Sequence, residues 1–172
     1  PEDGNVILVM TGSMGFGDNT EFIGSLLKRM PQDTTVVVMG GNNEKMKKEL
    51  KREFFKDSRL HVLDFTAEVS LYMDASDILF TKPGGLSTTE AAVKGIPFIH
   101  SSPVPGWEEN NVKFFKSREM SLAGESPDEL VTAALYLLGN PWKREKMTEA
   151  QNSQINKYAA RDICEYILQD GG

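Results

Sequence analysis

The chain has 172 residues, of which 40% are hydrophobic and 26% charged, and its formal net charge is −6. This length and composition predict one folded domain with a substantial core, and they exclude a disordered chain. The acidic balance argues against broad contact with nucleic acid, so no nucleic-acid partner is expected. No apolar run reaches the roughly 18 residues that a membrane-spanning helix needs.

The single cysteine, Cys164, lies in a helical pattern near the end of the sequence. One cysteine cannot form an internal disulfide, which favours a reduced, cytosolic setting. We expect Cys164 to be a small buried apolar side chain. The sequence starts at Pro1 and enters a strand pattern within a few residues, which indicates a piece of a larger protein.

Short β-branched runs alternate with helix-length amphipathic segments, a pattern typical of a parallel sheet with crossover helices. It predicts an α/β domain with a doubly wound, Rossmann-like parallel sheet of about six strands. We expect a single domain over residues 1–172, with a core over 5–138 and C-terminal helices over 141–168. The strands are predicted near Val6, Val37, Val62, Leu79, Phe98 and Leu122, and the helices over 19–29, 44–55, 67–75, 87–94, 108–117 and 127–138.

The first predicted strand runs into TGSMGFGDN, a glycine-rich loop at residues 11–19. Such turns between a strand and a helix bind nucleotide phosphates in doubly wound folds. The spacing G-x-x-G-x-G is not the dinucleotide fingerprint, and the second strand ends in Gly40 and Gly41 where a dinucleotide site has a carboxylate, so NAD is disfavoured. Asp18 stands where a P-loop has its lysine, which excludes an ordinary P-loop. A tight turn that needs glycine for structural reasons is the alternative.

The second predicted helix is charged on one side and has Met46, Leu50 and Phe54 at four-residue spacing on the other. This pattern is typical of a surface helix with one buried face. We expect Glu44 and Lys48 to form an ion pair along its solvated side.

The segment TKPGGLSTTEAAVKGIPFI, residues 81–99, joins a strand, a Pro-Gly-Gly turn and a hydroxyl-rich helix start. Unpaired N–H groups and the positive end of the dipole bind anions at a helix start, and Gly84 and Gly85 let an anion approach the main chain. This loop and the first glycine-rich loop are expected to face one crevice. Glu90 is placed to bind ribose hydroxyls. Ser87 and Glu90 also fit a capping box, which is the structural alternative.

After the fifth strand, the loop SSPVPGWEENNVKFF offers carboxylates, amides and an aromatic ring. Glu108 and Asn111 are suited to sugar hydroxyls, and the Trp107 ring is suited to the C–H face of a pyranose. The alternative is an ordinary helix start, in which Glu108 and Glu109 lie near the positive end of the dipole.

The two histidines, His61 and His100, have no partners at metal-ligand or triad spacing. We expect both to be hydrogen-bonded side chains in the core or at its rim. No Asp-x-Asp pair or Cys/His cluster indicates a metal site, so neither a metal nor another cofactor is expected.

The motifs TGSMGFG, KPGGLSTTEA and PVPGWEENN follow their strands in an order that resembles the C-terminal, donor-binding domain of family 28-type glycosyltransferases. That group includes the peptidoglycan lipid-linked N-acetylglucosaminyltransferase, monogalactosyldiacylglycerol synthase and processive diacylglycerol glucosyltransferase, and the resemblance covers about Asn5 to Leu138. It implies one half of a two-domain GT-B fold that binds a UDP-sugar donor. It also implies an inverting hexosyl transfer to a lipid acceptor, diacylglycerol, which is bound through an N-terminal domain.

The resemblance assigns a role to individual residues as well. It implies that Phe65 and Thr66 bind uracil and that Glu90 binds the ribose. The family has PGQE where this chain has PGWE, so Trp107 replaces an expected glutamine, and the choice between UDP-glucose and UDP-galactose stays open. The diphosphate is expected at Ser13, Met14, Gly15, Gly84, Gly85, Leu86 and Ser87, and the sugar at Gly106, Trp107, Glu108 and Asn111.

No catalytic base is evident in the sequence, and the resemblance implies that it lies in the N-terminal domain. The isolated chain is therefore expected to bind donor without turning it over. The full-length enzyme is expected to be cytoplasmic and peripheral on the cytoplasmic face of the membrane. The alternatives are a stand-alone donor-binding subunit with a separate membrane partner, and a UDP-sugar epimerase-like domain.

Overall fold

The computed structural model describes residues 4–10, 19–101, 103 and 105–170. Within them the chain forms a six-stranded parallel sheet of order β3-β2-β1-β4-β5-β6, which confirms the predicted doubly wound fold. The strands are β1 Val6–Met10, β2 Thr35–Met39, β3 Leu60–Leu63, β4 Ile78–Thr81, β5 Phe98–His100 and β6 Leu122–Ala123.

The helices lie close to their predicted positions, with ends that differ by one or two residues. The largest shift that matters for the site is at the start of the fourth helix, which begins at Gly85 instead of Ser87. The helices are α1 Asn19–Arg29, α2 Glu44–Glu53, α3 Val69–Asp74, α4 Gly85–Lys94, α5 Trp107–Ser117, α6 Pro127–Gly139, α7 Pro141–Gln154 and α8 Ala159–Asp170.

Both faces of the sheet are covered by helices, so the strands are apolar on both sides. Ile7 and Phe22 belong to a core shared by β1, α1, α2 and α6. Leu8, Ala91 and Phe115 belong to a second core on the opposite face, with α3, α4 and α5. The two cores explain why the strand sequences are near-continuous β-branched runs.

The strand order reverses between β1 and β4, which lie side by side with Met10 paired to Thr81. From β1 the chain moves outward to β2 and β3, then crosses back to β4 and continues outward to β6. In open α/β sheets, ligands bind outside the carboxyl ends of the strands at such a switch point. The fold therefore makes the loops after β1 and β4 the candidate ligand-binding loops.

The charged side of α2 differs from the expected arrangement. Glu44 forms its ion pair with Lys47, not with Lys48, and Lys47 is only 3% exposed. Lys47 also reaches Asp64, with Nζ and Oδ1 3.4 Å apart. The predicted pair was wrong because the side chain at 47 turns inward, where it can contact both carboxylates. The predicted apolar face is confirmed, since Met46 and Leu50 are buried.

Helix α8 contrasts with the other helices because each of its side chains that the structure describes is exposed. Cys164 is exposed too, so the predicted burial of this residue was wrong. The amphipathic pattern of α8 suggested a buried face, but no described element packs over it. Within the described residues, no helix combines the length and apolarity that crossing a membrane requires.

Candidate functional site

A cavity of about 390 Å³ opens at the carboxyl edge of the sheet, next to the switch point. Its floor includes the last residues of three adjacent strands, Met10, Met39 and Thr81. Residues predicted for three different parts of the donor meet in this one cavity. They are Phe65 and Thr66 for uracil, Gly84 and Ser87 for the diphosphate, and Glu108 for the sugar.

The first turn of α4 forms one wall of the cavity. Gly84 is the residue that caps the helix, in an extended conformation with φ −74° and ψ 154°, and no side chain caps the turn. Ser87 is therefore the third helical residue, and the capping box of Ser87 and Glu90 is not formed. Neither side chain makes a hydrogen bond to another described residue, so both are available to a ligand.

The glycines at the start of α4 are not required by the local geometry. A Cβ atom at Gly84 or Gly85 would meet nothing within 4 Å, and neither residue has a positive φ. Open space beside unpaired helix N–H groups is what an approaching anion needs. These glycines thus leave the main chain accessible without serving the packing of the fold.

The buried side of this turn rests on His100, at the end of β5. Its Nε2 lies 3.3 Å from Thr88 Oγ1, and its Nδ1 lies 3.4 Å from Ser121 Oγ. Thr88 Oγ1 also donates to the Lys82 carbonyl at 3.4 Å. A neutral ring protonated on Nε2 satisfies all three contacts, because Nε2–H then donates to Thr88 and Ser121 donates to Nδ1.

Burial lowers the pKa of His100 to about 4 and so keeps this ring neutral near pH 7. The rings of Phe98 and Phe115 contact it edge-on, with centroids 5.1 and 5.8 Å away. The prediction of a hydrogen-bonded core histidine is confirmed. For His61, on β3, the prediction was wrong, because its side chain is exposed and makes no hydrogen bond to another described residue.

The start of α5 is tied to the loop that precedes α4. Asn111 donates from Nδ2 to the Pro83 carbonyl at 2.8 Å. Gly106 caps α5 with φ 108°, a conformation that favours glycine, and its N–H donates to Glu109 Oε2 at 3.3 Å. The predicted sugar and diphosphate segments are thus held side by side. Trp107 is 76% exposed at this point.

The segment after β3 presents main-chain groups to the opposite side of the cavity. Phe65 is 77% exposed, and its N–H and carbonyl have no hydrogen-bond partner among the described residues. Thr66 Oγ1 accepts a hydrogen bond from the Glu68 N–H at 3.1 Å, which fixes the loop. Free main-chain donors and acceptors on a fixed loop are suited to the edge of a base.

The charges around the cavity are unevenly compensated. Asp64, which lines it, lies 3.4 Å from Lys47 and 3.5 Å from Lys51, and the hydrogen bond from Lys47 lowers the pKa of Asp64. Lys82 lines the cavity without an ion-pair partner among the residues that the structure describes. The wall that carries the helix start thus contributes one basic side chain to a cavity whose lining also includes the carboxylates of Asp64 and Glu108.

The cavity does not gather every predicted residue, and it adds others. Glu90 is exposed on α4 outside its lining. Ser13, Met14 and Gly15 lie outside the described residues. Gly85, Leu86, Gly106, Trp107 and Asn111 flank the cavity in sequence without lining it. Sequence reasoning missed Met10, Met39, Gly41, Asp64, Val69, Thr81 and Lys82.

Some of the missed residues had a signal in the sequence. Met10, Met39 and Thr81 lie near the carboxyl ends of predicted parallel strands, and such ends share one edge of the sheet. Lys82 stands inside the motif that pointed to the phosphate site, directly before Pro83. In the described part of the chain, no group of three or more His, Cys, Asp or Glu side chains could hold a metal ion.

Comparison with known proteins gives the same fold and a family. Residues 6–163 match the glycosyltransferase family 28 C-terminal domain. The processive diacylglycerol beta-glucosyltransferase of Staphylococcus carnosus is 28% identical over 163 residues, which cover 94% of this chain and 41% of that protein. The chain thus spans less than half the length of the curated relatives it matches.

Two solved structures illustrate the likeness in three dimensions. The UDP-GlcNAc 2-epimerase of Neisseria meningitidis, bound to UDP-GlcNAc, has a TM-score of 0.74 at 18% identity, covering 98% of this chain and 45% of that one. Anabaena HepE in complex with UDP-glucose has a TM-score of 0.71 at 14% identity, covering 96% and 49%. At these identities the likeness shows the fold, a Rossmann-like domain of the GT-B type. Because the family match spans almost all of the sequence, the chain belongs to the glycosyltransferase family 28 C-terminal domain family.

Proposed function

We propose that this chain is the donor-binding domain of a hexosyltransferase that uses a UDP-sugar and a lipid acceptor. The observation that carries the proposal is the cavity at the switch point, where Phe65, Thr66, Gly84, Ser87 and Glu108 converge. A base-binding loop, an anion-binding helix start and a carboxylate match the three parts of a nucleoside diphosphate sugar in order. The names of the curated relatives favour diacylglycerol as the acceptor and glucose as the sugar.

In the proposed reaction, an acceptor hydroxyl attacks the anomeric carbon of the donor from the side opposite the diphosphate. The bond between that carbon and the β-phosphate oxygen breaks, and UDP leaves. A beta-linked product from an alpha-linked UDP-sugar requires this inversion. The base that takes the hydroxyl proton is proposed to lie in an N-terminal acceptor domain. The full-length enzyme is proposed to work as a peripheral protein on the cytoplasmic face of the membrane.

The contribution of this chain is proposed to be electrostatic. The N–H groups of the first turn of α4 point to the place where negative charge grows on the leaving diphosphate, and their geometry is fixed before the reaction. The contacts among Thr88, His100 and the Lys82 carbonyl hold that turn in place. We propose that no metal is needed, so chelation with EDTA should leave UDP affinity unchanged.

Isothermal titration calorimetry at one salt concentration tests the donor assignment. The ligands are UDP, UDP-glucose, UDP-galactose, UDP-N-acetylglucosamine and NAD. We expect the UDP compounds to bind and NAD not to bind, and their ranking names the sugar. Binding of NAD without UDP would contradict the proposal. Epimerisation of UDP-N-acetylglucosamine without any acceptor would favour the epimerase-like alternative, and detectable transfer by the isolated chain would contradict a base outside it.

The same titrations test the role of Trp107 in sugar choice. Because this exposed ring flanks the cavity without lining it, Trp107→Gln should leave UDP affinity unchanged while shifting the preference between UDP-glucose and UDP-galactose. A loss of affinity for UDP itself would place Trp107 at the nucleotide.

A further inference from the structure

The geometry points to Lys82 as a diphosphate-binding residue that supplies a fixed positive charge beside the first turn of α4. This inference rests on the proposed function, because it names the counter-charge within the same donor site. The family resemblance assigned the diphosphate to main-chain groups and small side chains, and it gave no role to this lysine.

The position of Lys82 is the first observation. It follows Thr81, the last residue of β4, and it lines the cavity together with Gly84 and Ser87. Met10, which pairs with Thr81 across the switch point, lines the same cavity. A cation here lies beside the helix start, and a point charge and the helix dipole attract the same anion.

The second observation is that Lys82 has no charge partner in the described structure, although neighbouring lysines do. Lys47 and Lys51 contact Asp64, and Lys94 forms an ion pair with Asp74. Lys82 is only partly exposed, and it is the one basic side chain among the cavity-lining residues that the structure describes. Glu108 lines the same cavity, but no carboxylate of the described residues forms an ion pair with this partly buried ammonium, so an anionic ligand would supply the counter-charge.

The main chain of Lys82 is fixed, whereas its ammonium group has no ion-pair partner in the described ranges. Its carbonyl accepts hydrogen bonds from Thr81 Oγ1 at 3.1 Å and from Thr88 Oγ1 at 3.4 Å. Thr88 in turn contacts the buried His100 ring. The base of the side chain is thus held by β4, α4 and β5, so little ordering of the backbone is needed when an anion binds.

Comparing two ligands, UDP and uridine, distinguishes the effect of the Lys82 charge from effects on the rest of the site. Uridine shares the base and ribose of UDP but lacks the diphosphate. We expect Lys82→Met to weaken UDP binding about tenfold or more, the usual size of a charge-assisted hydrogen bond, and to change uridine binding less than about twofold. Lys82→Arg should restore most of the UDP affinity. Lys113→Met, which removes an equal charge from an exposed position on α5, is the matched control.

The outcomes distinguish this inference from the proposed function. Ligand-observed NMR detects uridine binding, and binding of uridine by Lys82→Met shows that the variant is folded. If the unaltered chain binds UDP more tightly than uridine and Lys82→Met keeps the same ratio, the inference fails and the donor site stands. If the unaltered chain binds neither ligand, the proposed function fails. A smaller salt dependence of UDP affinity in Lys82→Met would support the inference, since one charge contact has gone.

Discussion

The two ends of helix α4 differ in the space around their glycines: the N-terminal end at Gly84 and Gly85, the open end, has free space, and the C-terminal end at Gly95, the locked end, is closely packed. At the start, a Cβ atom on Gly84 or Gly85 would meet nothing within 4 Å. At the end, Gly95 has φ 74°, and its Cβ would lie 3.0 Å from Thr148 Cγ2. Thr148 Oγ1 also donates to the Gly95 carbonyl at 2.7 Å. The same residue type thus serves ligand access at one end and the fold at the other, which only the surroundings of each glycine reveal.

Lowering the pH should have the largest effect on the free energy of unfolding, because it favours protonation of His100, whose buried ring contacts the first turn of α4 through Thr88. Burial lowers the pKa of His100 to about 4. The unfolded chain binds that proton near pH 6.5, so the free energy of unfolding should fall between about pH 6.5 and 4, by about 3 kcal/mol in full. Urea unfolding at pH 7.5, 6 and 5 measures it.

Two variants identify the group responsible for that loss. His100→Gln should flatten the dependence between pH 6.5 and 4.5, whereas His61→Gln, on the exposed rim, should keep it. Carboxylates whose pKa is lowered by ion pairs, such as Asp57 and Asp64, act at lower pH. If the free energy of unfolding of His100→Gln still falls as steeply with pH, protonation of another group causes the loss of stability.

Removing the exposed carboxylate of α4 should affect binding and not stability. Because Glu90 forms no capping box, Glu90→Ala should weaken UDP binding by about 1–3 kcal/mol through lost hydrogen bonds to the ribose. The melting temperature should stay constant. The loss should be smaller for 2′-deoxy-UDP, which lacks one of the hydroxyls. A lowered melting temperature with unchanged UDP affinity would instead indicate that Glu90 stabilises the helix start.

The locked end of α4 should respond in the opposite way. Gly95→Ala forces a side chain into a left-handed conformation beside Thr148, so the free energy of unfolding should fall by about 1–2 kcal/mol. UDP affinity should not change. Chemical denaturation and UDP titration of the same sample test both statements. A loss of UDP affinity without a loss of stability would contradict the assignment of ligand binding to the open end and of stability to the locked end.

At the open end, a single methyl group should reduce binding with little effect on folding. Gly84→Ala places a Cβ in the space that the ligand is proposed to use, so UDP affinity should fall by about 1 kcal/mol. The free energy of unfolding should change by less than about 1 kcal/mol, because alanine is a poorer N-cap than glycine but loses less backbone entropy on folding. Unchanged UDP affinity would mean that the ligand does not approach this glycine.

The smallest effect is expected for α8, whose described side chains are all exposed. Deleting residues 157–172 should change the free energy of unfolding by less than about 0.5 kcal/mol, because few contacts with the rest of the domain are lost. Thermal and urea unfolding of the shortened chain measure it. A fall of several degrees in melting temperature would show that α8 contributes to the fold that α4 belongs to.

Much of the fold could be predicted from the sequence because its signals are local. β-branched runs such as that around Val37 are selected by burial on both faces of a parallel sheet, and glycine-rich turns mark the strand ends. The start of α4 was placed at Ser87 because a serine before an apolar run resembles a cap. The structure begins it at Gly85, since glycine at 84 caps the helix without a side chain.

Side-chain partners were predicted less well, because they depend on contacts between distant segments. The expected pair of Glu44 and Lys48 is replaced by Lys47, whose inward position also brings it to Asp64, beyond the next strand. The burial expected for Cys164 fails because amphipathicity predicts a face that can be covered, not an element that covers it.

By itself, the sequence determined the parallel α/β architecture and the family, since periodicity and motif order are local properties of the chain. Only the tertiary structure decided that Phe65, Gly84 and Glu108 share one cavity, because strand order sets which loops meet. It alone distinguished the glycines at the two ends of α4, and it placed Lys82 at the cavity without an ion-pair partner among the described residues, because open space and charge compensation arise between segments far apart in sequence.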